Sequence, residues 1–101
     1  MNNKNVNIFP AKIYPNLENY KYIILKENSN KSGVYRLTNL INGKSFIGSA
    51  RDLSEELNVY FSPETLEILL TKNSNYKYTL IYKDILEYGC DNFSLDILEY
   101  L

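Results

Sequence analysis

Hydrophobic and polar positions alternate along this chain with two different periods, and the change of period marks the elements. Gly33–Thr38 and Lys44–Gly48 are β-type runs joined through Leu40-Ile41-Asn42-Gly43. Asn-Gly tolerates positive φ at both positions, so the two runs are predicted to form a hairpin. A helical spacing follows. Leu53, Leu57, Tyr60 and Phe61 fall at i, i+4, i+7 and i+8, behind Asp52 as N-cap and Glu55 in the capping-box position. Ser62-Pro63 stops that helix and starts another, whose apolar stripe is Leu66, Leu69 and Leu70. A polar stretch, Thr71–Asn75, precedes a third helix at roughly 76–88, with Leu80 or Ile81, Ile85 and Tyr88 inward and Gly89 as its C′ residue. Phe93-Ser94-Leu95-Asp96-Ile97 returns to period two and reads as a strand with one buried face.

The first third is less regular. Residues 1–10 are polar and Asn-rich, and a poorly ordered start is expected. Tyr20–Leu25 reads as a short strand, followed by a polar loop from Glu27 to Ser32. Hairpin, helices, strand is the order of an α+β domain: a three-stranded antiparallel sheet packed with about three helices. The expected division is an N-terminal extension, 1–31, and a domain, 32–101.

Composition narrows the chemistry. At 101 residues, 45% hydrophobic and 23% charged, the chain can fold as one domain. It has no His and one Cys, Cys90, so an internal disulfide and His-based catalysis are excluded, and a structural zinc site nearly so. Cys90 is expected as a buried small hydrophobe. The longest apolar run, Tyr22–Leu25, is far too short to cross a bilayer, so no membrane partner is expected, and no targeting peptide is recognisable.

The net charge of −1 conceals a polarity. Residues 1–53 carry eight Lys/Arg against three acids, and residues 54–101 carry three Lys against nine. An ordinary solvated surface and a polyanion-facing first half both fit that pattern. Asn (14), Tyr (10), Ile (10) and Lys (9) are abundant while Ala (2) and Arg (2) are scarce, which points to an A/T-rich genome.

The hairpin carries a resemblance. Gly33-Val34-Tyr35 and Phe46-Ile47-Gly48 are similar to the two halves of the GIY-YIG nuclease signature. The flanks, Ser32 to Lys44 and Gly48-Ser49-Ala50, resemble the intron-encoded homing endonucleases of fungal mitochondria. The likeness extends over roughly residues 12–100, through Lys12-Ile13-Tyr14, Leu25-Lys26-Glu27-Asn28 and the run from Tyr88 to Tyr100. It implies a small GIY-YIG-like domain, truncated after its third strand, and a mitochondrial location.

The family's activity is metal-dependent hydrolysis of a DNA phosphodiester. As the resemblance implies it, a hairpin Tyr helps activate water, a second Tyr and an Arg stabilise the phosphate, and a Glu on a later helix holds the divalent ion. The first Tyr corresponds to Tyr35. The second falls on Phe46, which lacks the hydroxyl. The Arg position is Glu56, with Glu55 beside it, and Tyr60 sits where the family keeps a Tyr or His. The metal-binding Glu would lie beyond Leu101. A carboxylate where an arginine should be repels a singly charged phosphate by roughly 3 kcal/mol at about 5 Å and an effective dielectric near 20.

The expectation is therefore a catalytically inactive domain with no cofactor, acting as a binding or structural component of a mitochondrial ribonucleoprotein, with the mitochondrial ribosome as host. Its partners would be RNA and proteins of that particle, contacted through Lys31, Arg36, Lys44 and Arg51. The alternative is a Mg2+-dependent endonuclease acting on DNA.

Overall fold

Alternation along Gly33–Asn39 puts Gly33, Tyr35, Leu37 and Asn39 on a buried face and leaves Val34, Arg36 and Thr38 half-buried on the other. This strand, β2, pairs antiparallel with β3 (Ser45–Ala50), so the predicted hairpin forms. Its turn is a five-residue connection held by two asparagine side chains, with Asn42 Oδ1 accepting from the Lys44 amide at 2.9 Å. Asn39 Oδ1 accepts from the Ile41 and Asn42 amides at 2.8 and 3.3 Å, and Gly43 alone supplies the positive φ, at 77°.

In the computed structural model, which describes residues 9–72 and 76–101, the sheet has four strands where three were expected. Its order is β1-β4-β2-β3, with β1 at Lys12–Tyr14 and β4 at Phe93–Tyr100, all neighbours antiparallel. The fourth strand is β1, whose Tyr14 sits opposite Leu95 and enters the core. β4 also runs past the predicted Ile97. Tyr35 pairs with Ile97 but Val34 pairs with Glu99, so Leu98 is the extra residue of a bulge. The bulge resets the alternation and lets Tyr100, opposite Gly33, turn inward.

Four α-helices pack on the buried face where about three were expected: α1 (Lys21–Glu27), α2 (Leu53–Asn58), α3 (Pro63–Lys72) and α4 (Tyr76–Tyr88). The addition is α1, which replaces the short strand expected at Tyr20–Leu25. A run of four apolar residues fits either period, and here tertiary packing decides, burying Ile24 completely. α2 begins as predicted, with the Glu55 amide donating to Asp52 Oδ1 at 3.2 Å. It tightens into a 3-10 turn at Val59–Phe61. Ser62 caps α3 by accepting from the Thr65 amide at 3.2 Å, with Pro63 first in the helix. α4 ends at Gly89, whose φ of 85° needs no Cβ. In α4, Ile81, Tyr82 and Ile85 are buried while Leu80 is exposed. Residues 1–8 of the expected loose start and 73–75 of the polar break lie outside the described residues; Thr71 and Lys72 close α3.

The core is one cluster. Tyr35, Leu37, Phe93, Leu95 and Ile97 of the sheet meet Leu53, Leu57, Tyr60, Leu66 and Ile85 of the helical layer. Full burial of each leucine contributes about 2 kcal/mol. Tyr14, Leu17 and Ile24 belong to the same cluster, so residues 12–31 pack into the core with the rest. No helix among the described residues is long and apolar enough to cross a membrane.

Candidate functional site

β2 aims Tyr35 inward, directly across the hairpin from Gly48. The ring passes beneath that glycine so closely that a Cβ there would lie 2.6 Å from both Cζ and the hydroxyl. The helical layer brings two residues to the same point. Glu56 lies in α2, and Tyr60, four positions on, in the 3-10 turn that extends it. Three of the four positions singled out for catalysis therefore converge.

Their hydrogen bonds have a definite direction. The Tyr35 hydroxyl donates to Glu56 Oε2 at 2.9 Å, and it lies 2.8 Å from the Tyr60 hydroxyl. A phenol has one proton to give, so Tyr60 is the donor in the second bond. Tyr35 has no exposed surface and Tyr60 has 2%. Burial, reinforced by the neighbouring Tyr60 and Glu56, pushes the Tyr35 phenol far above its ordinary value. Burial also raises Tyr60, and it raises the Glu56 carboxyl against the opposing pull of the Tyr35 hydrogen bond. Neither phenol is poised to ionise near neutrality.

Phe46, the fourth position, completes a closed circuit of aromatic rings. Its centroid lies 6.2 Å from Tyr35 and 5.3 Å from Tyr78. Tyr78 lies 6.2 Å from Tyr82, Tyr82 lies 6.0 Å from Tyr60, and Tyr60 lies 6.2 Å from Tyr35. Each pair is tilted or edge-on, the favourable arrangement for ring quadrupoles. The circuit joins β2 and β3 to α4 and the 3-10 turn. Its hydroxyl-free member, Phe46, takes the Lys77 ammonium over its face at 5.4 Å.

The chemistry available here is limited. Glu56 is the one carboxylate of the cluster and already accepts from Tyr35, and the two phenols are neutral. A hard divalent cation takes six or more oxygens, several of them anionic, and these residues do not make up such a set.

The four basic residues occupy three separate places. Lys31, just before β2, and Arg51, just after β3, lie at one end of the sheet, where Gly33 and Ala50 pair. Lys31 Nζ sits 5.2 Å over the Tyr100 ring. Lys44 lies at the opposite end of β3, about 20 Å of strand away. Arg36 is on the open face, donating from Nε at 3.0 Å and Nη2 at 2.5 Å to Asp96 Oδ2. Its charge is thereby neutralised.

Sequence reasoning missed a second buried polar centre. Asn28, in the stretch read as loop, has no exposed surface. Its Nδ2 donates to the Tyr14 hydroxyl at 3.1 Å and the Ile24 carbonyl at 2.8 Å, and its Oδ1 accepts from the Tyr100 hydroxyl at 2.7 Å. Tyr14 in turn donates to Glu27 at 2.7 Å, which holds that carboxyl below its ordinary value. The partners lie 14 and 72 residues away, so no local signal separates Asn28 from exposed Asn30. Cys90 is half-buried and donates from Sγ to Glu18 Oε1 at 3.0 Å; burial pushes the thiol up to about 12.

Comparison with known proteins finds no family model, no curated protein and no solved structure that matches this chain.

Proposed function

We propose that this chain is a GIY-YIG-type domain whose catalytic positions have become packing positions. It serves as a binding and structural component of a mitochondrial ribonucleoprotein, with the mitochondrial ribosome as host. The observation that carries the reading is the Tyr35 hydroxyl, fully buried and held between Glu56 and Tyr60. A hydroxyl that activates water must meet both water and phosphate, and this one is committed to protein. The residue beside it is a carboxylate where phosphate chemistry needs a cation, and removing an arginine from phosphoryl transfer costs about 10³–10⁵ in rate. No catalytic step is assigned to any residue, and no cofactor.

Binding is supported by the uneven charge. Lys31 and Arg51 share one end of the sheet, in the half of the chain with a cationic excess, with Asp52, Glu55 and Glu56 beside Arg51; Lys44 stands at the other end of β3. An RNA-rich particle with basic proteins offers partners for both halves, and the A/T-rich residue usage supports a mitochondrial origin. Sedimentation of the native protein from a mitochondrial lysate, with and without ribonuclease, tests this. Migration with a large particle and a shift on RNA digestion are expected; a slowly sedimenting free protein in both samples contradicts it.

A further inference from the structure

β3 ends the sheet order, and among the described residues only β2 pairs with it. The Asn39 amide donates to the Lys44 carbonyl across the hairpin at 2.8 Å. Antiparallel ladders alternate from such a pair. Phe46, Gly48 and Ala50 thus bond to β2, while Ser45, Ile47 and Ser49 turn their N–H and C=O groups to the open edge. These three residues are exposed, Ile47 at 42%. Sheet edges are ordinarily blunted by proline, a charged side chain or a bulge. Ser45-Phe46-Ile47-Gly48-Ser49-Ala50 contains no proline or charge, and its register with β2 is unbroken.

Two grooves open at the ends of this strand on its helix-facing side. One, of about 340 Å³, has Phe46, Leu37, Leu80 and Ile81 as apolar wall, with Lys44, Lys77 and Asp84 beside them. The other, of about 300 Å³, lies beside Ala50 and Val59 and holds Asp52, Glu55 and Glu56 against the single cation Arg51. Phe46 and Ala50 are four residues apart on one face of the strand, a separation of about 13 Å.

We propose that the β3 edge accepts an extended segment of a partner protein as a fifth, antiparallel strand. A Lys or Arg of that segment enters the acidic groove at Glu55 and Glu56, and an apolar side chain four residues later enters the groove at Phe46. Main-chain hydrogen bonds to Ser45, Ile47 and Ser49 supply affinity, and the two grooves supply sequence preference. The order of the two side chains follows from direction, since an antiparallel segment passes Ala50 before Phe46. A second copy of this chain fits less well. Pairing β3 with itself about Ile47 would set Lys44 of one copy opposite Ala50 and next to Arg51 of the other, like charges at both ends.

The test is a titration of the full chain with a synthetic peptide of alternating Thr and Val that carries Lys and, four residues later, Leu. Amide hydrogen exchange read by NMR is the measurement. Saturable binding is expected to slow exchange at Ser45, Ile47 and Ser49, and to weaken about tenfold when Lys and Leu trade places. A peptide N-methylated on the amides that face β3 is expected not to bind. Absence of saturable binding overturns the proposal, as does equal binding of the N-methylated peptide. Protection of the same amides without peptide overturns it too. If that protection rises with protein concentration, the edge belongs to a second copy; if it does not, the edge belongs to the chain's own residues.

Discussion

Gly48 and Tyr35 share one volume across the hairpin: a Cβ on Gly48 would stand 2.6 Å from Cζ and from the hydroxyl of Tyr35. The position needs a glycine because the ring beneath it is held in place. Tyr35 is fixed at its far end by Glu56 and Tyr60 and on its flank by Phe46. Gly48→Ala is therefore expected to destabilise the fold by about 1–3 kcal/mol, the cost of overpacking. In a Tyr35→Leu background, where the ring is gone, the same substitution should cost much less. Urea denaturation of the two single variants and the double variant measures the coupling; an additive result contradicts the account.

Asn28 is the second fixed point. Replacing it with alanine removes the acceptor of the part-buried Tyr100 hydroxyl and one of the two partners of Tyr14, which keeps its bond to Glu27. Unsatisfied buried polar groups cost about 1–3 kcal/mol each. Asn28→Ala should lower the unfolding free energy by about 1–3 kcal/mol in urea titration, while Asn58→Ala, at an exposed position with helical backbone, should cost less.

How far the sequence carries is visible in these residues. The hairpin, the caps at Asp52 and Ser62 and the glycine after α4 are local chemistry, and local chemistry is readable. Tyr35 and Glu56 were identified by position, but their meeting was not, because it depends on the angle at which α2 crosses the sheet. The aromatic circuit is equally non-local: Phe46 and Tyr78 come together only when α4 docks on β3. Tyr20–Leu25 was misread because its four apolar residues lack the length that separates a helix from a strand. The bulge at Leu98 went unread because a clean alternation stops at Ile97, and nothing in Leu98-Glu99-Tyr100 announces that the face will reset.

Glu56 gives a dependence on pH. Burial lifts its carboxyl above 4.5, so above that pH the folded chain holds a proton that the unfolded chain has released. Stability from this group is complete below about 4.5 and is lost as the pH rises through the higher folded value. Glu56→Gln keeps an oxygen for the Tyr35 hydroxyl and removes the titration. The variant should be at least as stable as the parent at pH 7, and the parent should gain on it as the pH falls. Urea midpoints for both proteins from pH 4 to pH 8 test this; a parent that gains on the variant with rising pH contradicts it.

RNA binding should separate the basic residues by their partners. Lys44 and Arg51 form no ion pair among the described residues, whereas Arg36 is held by Asp96. Reversing charge at Lys44 and Arg51 together should weaken binding and flatten the slope of log affinity against log salt by about one to two. Arg36→Gln should leave both nearly unchanged. Filter binding to a structured RNA at three salt concentrations distinguishes them, and an equal effect from Arg36 would contradict the assignment.

The central claim is that Tyr35 packs and does not catalyse. Purified parent and Tyr35→Phe proteins, incubated with supercoiled plasmid or structured RNA and Mg2+ or Mn2+, test it most directly. The account predicts that both proteins leave both substrates intact. Metal-dependent nicking by the parent that disappears in Tyr35→Phe would contradict it.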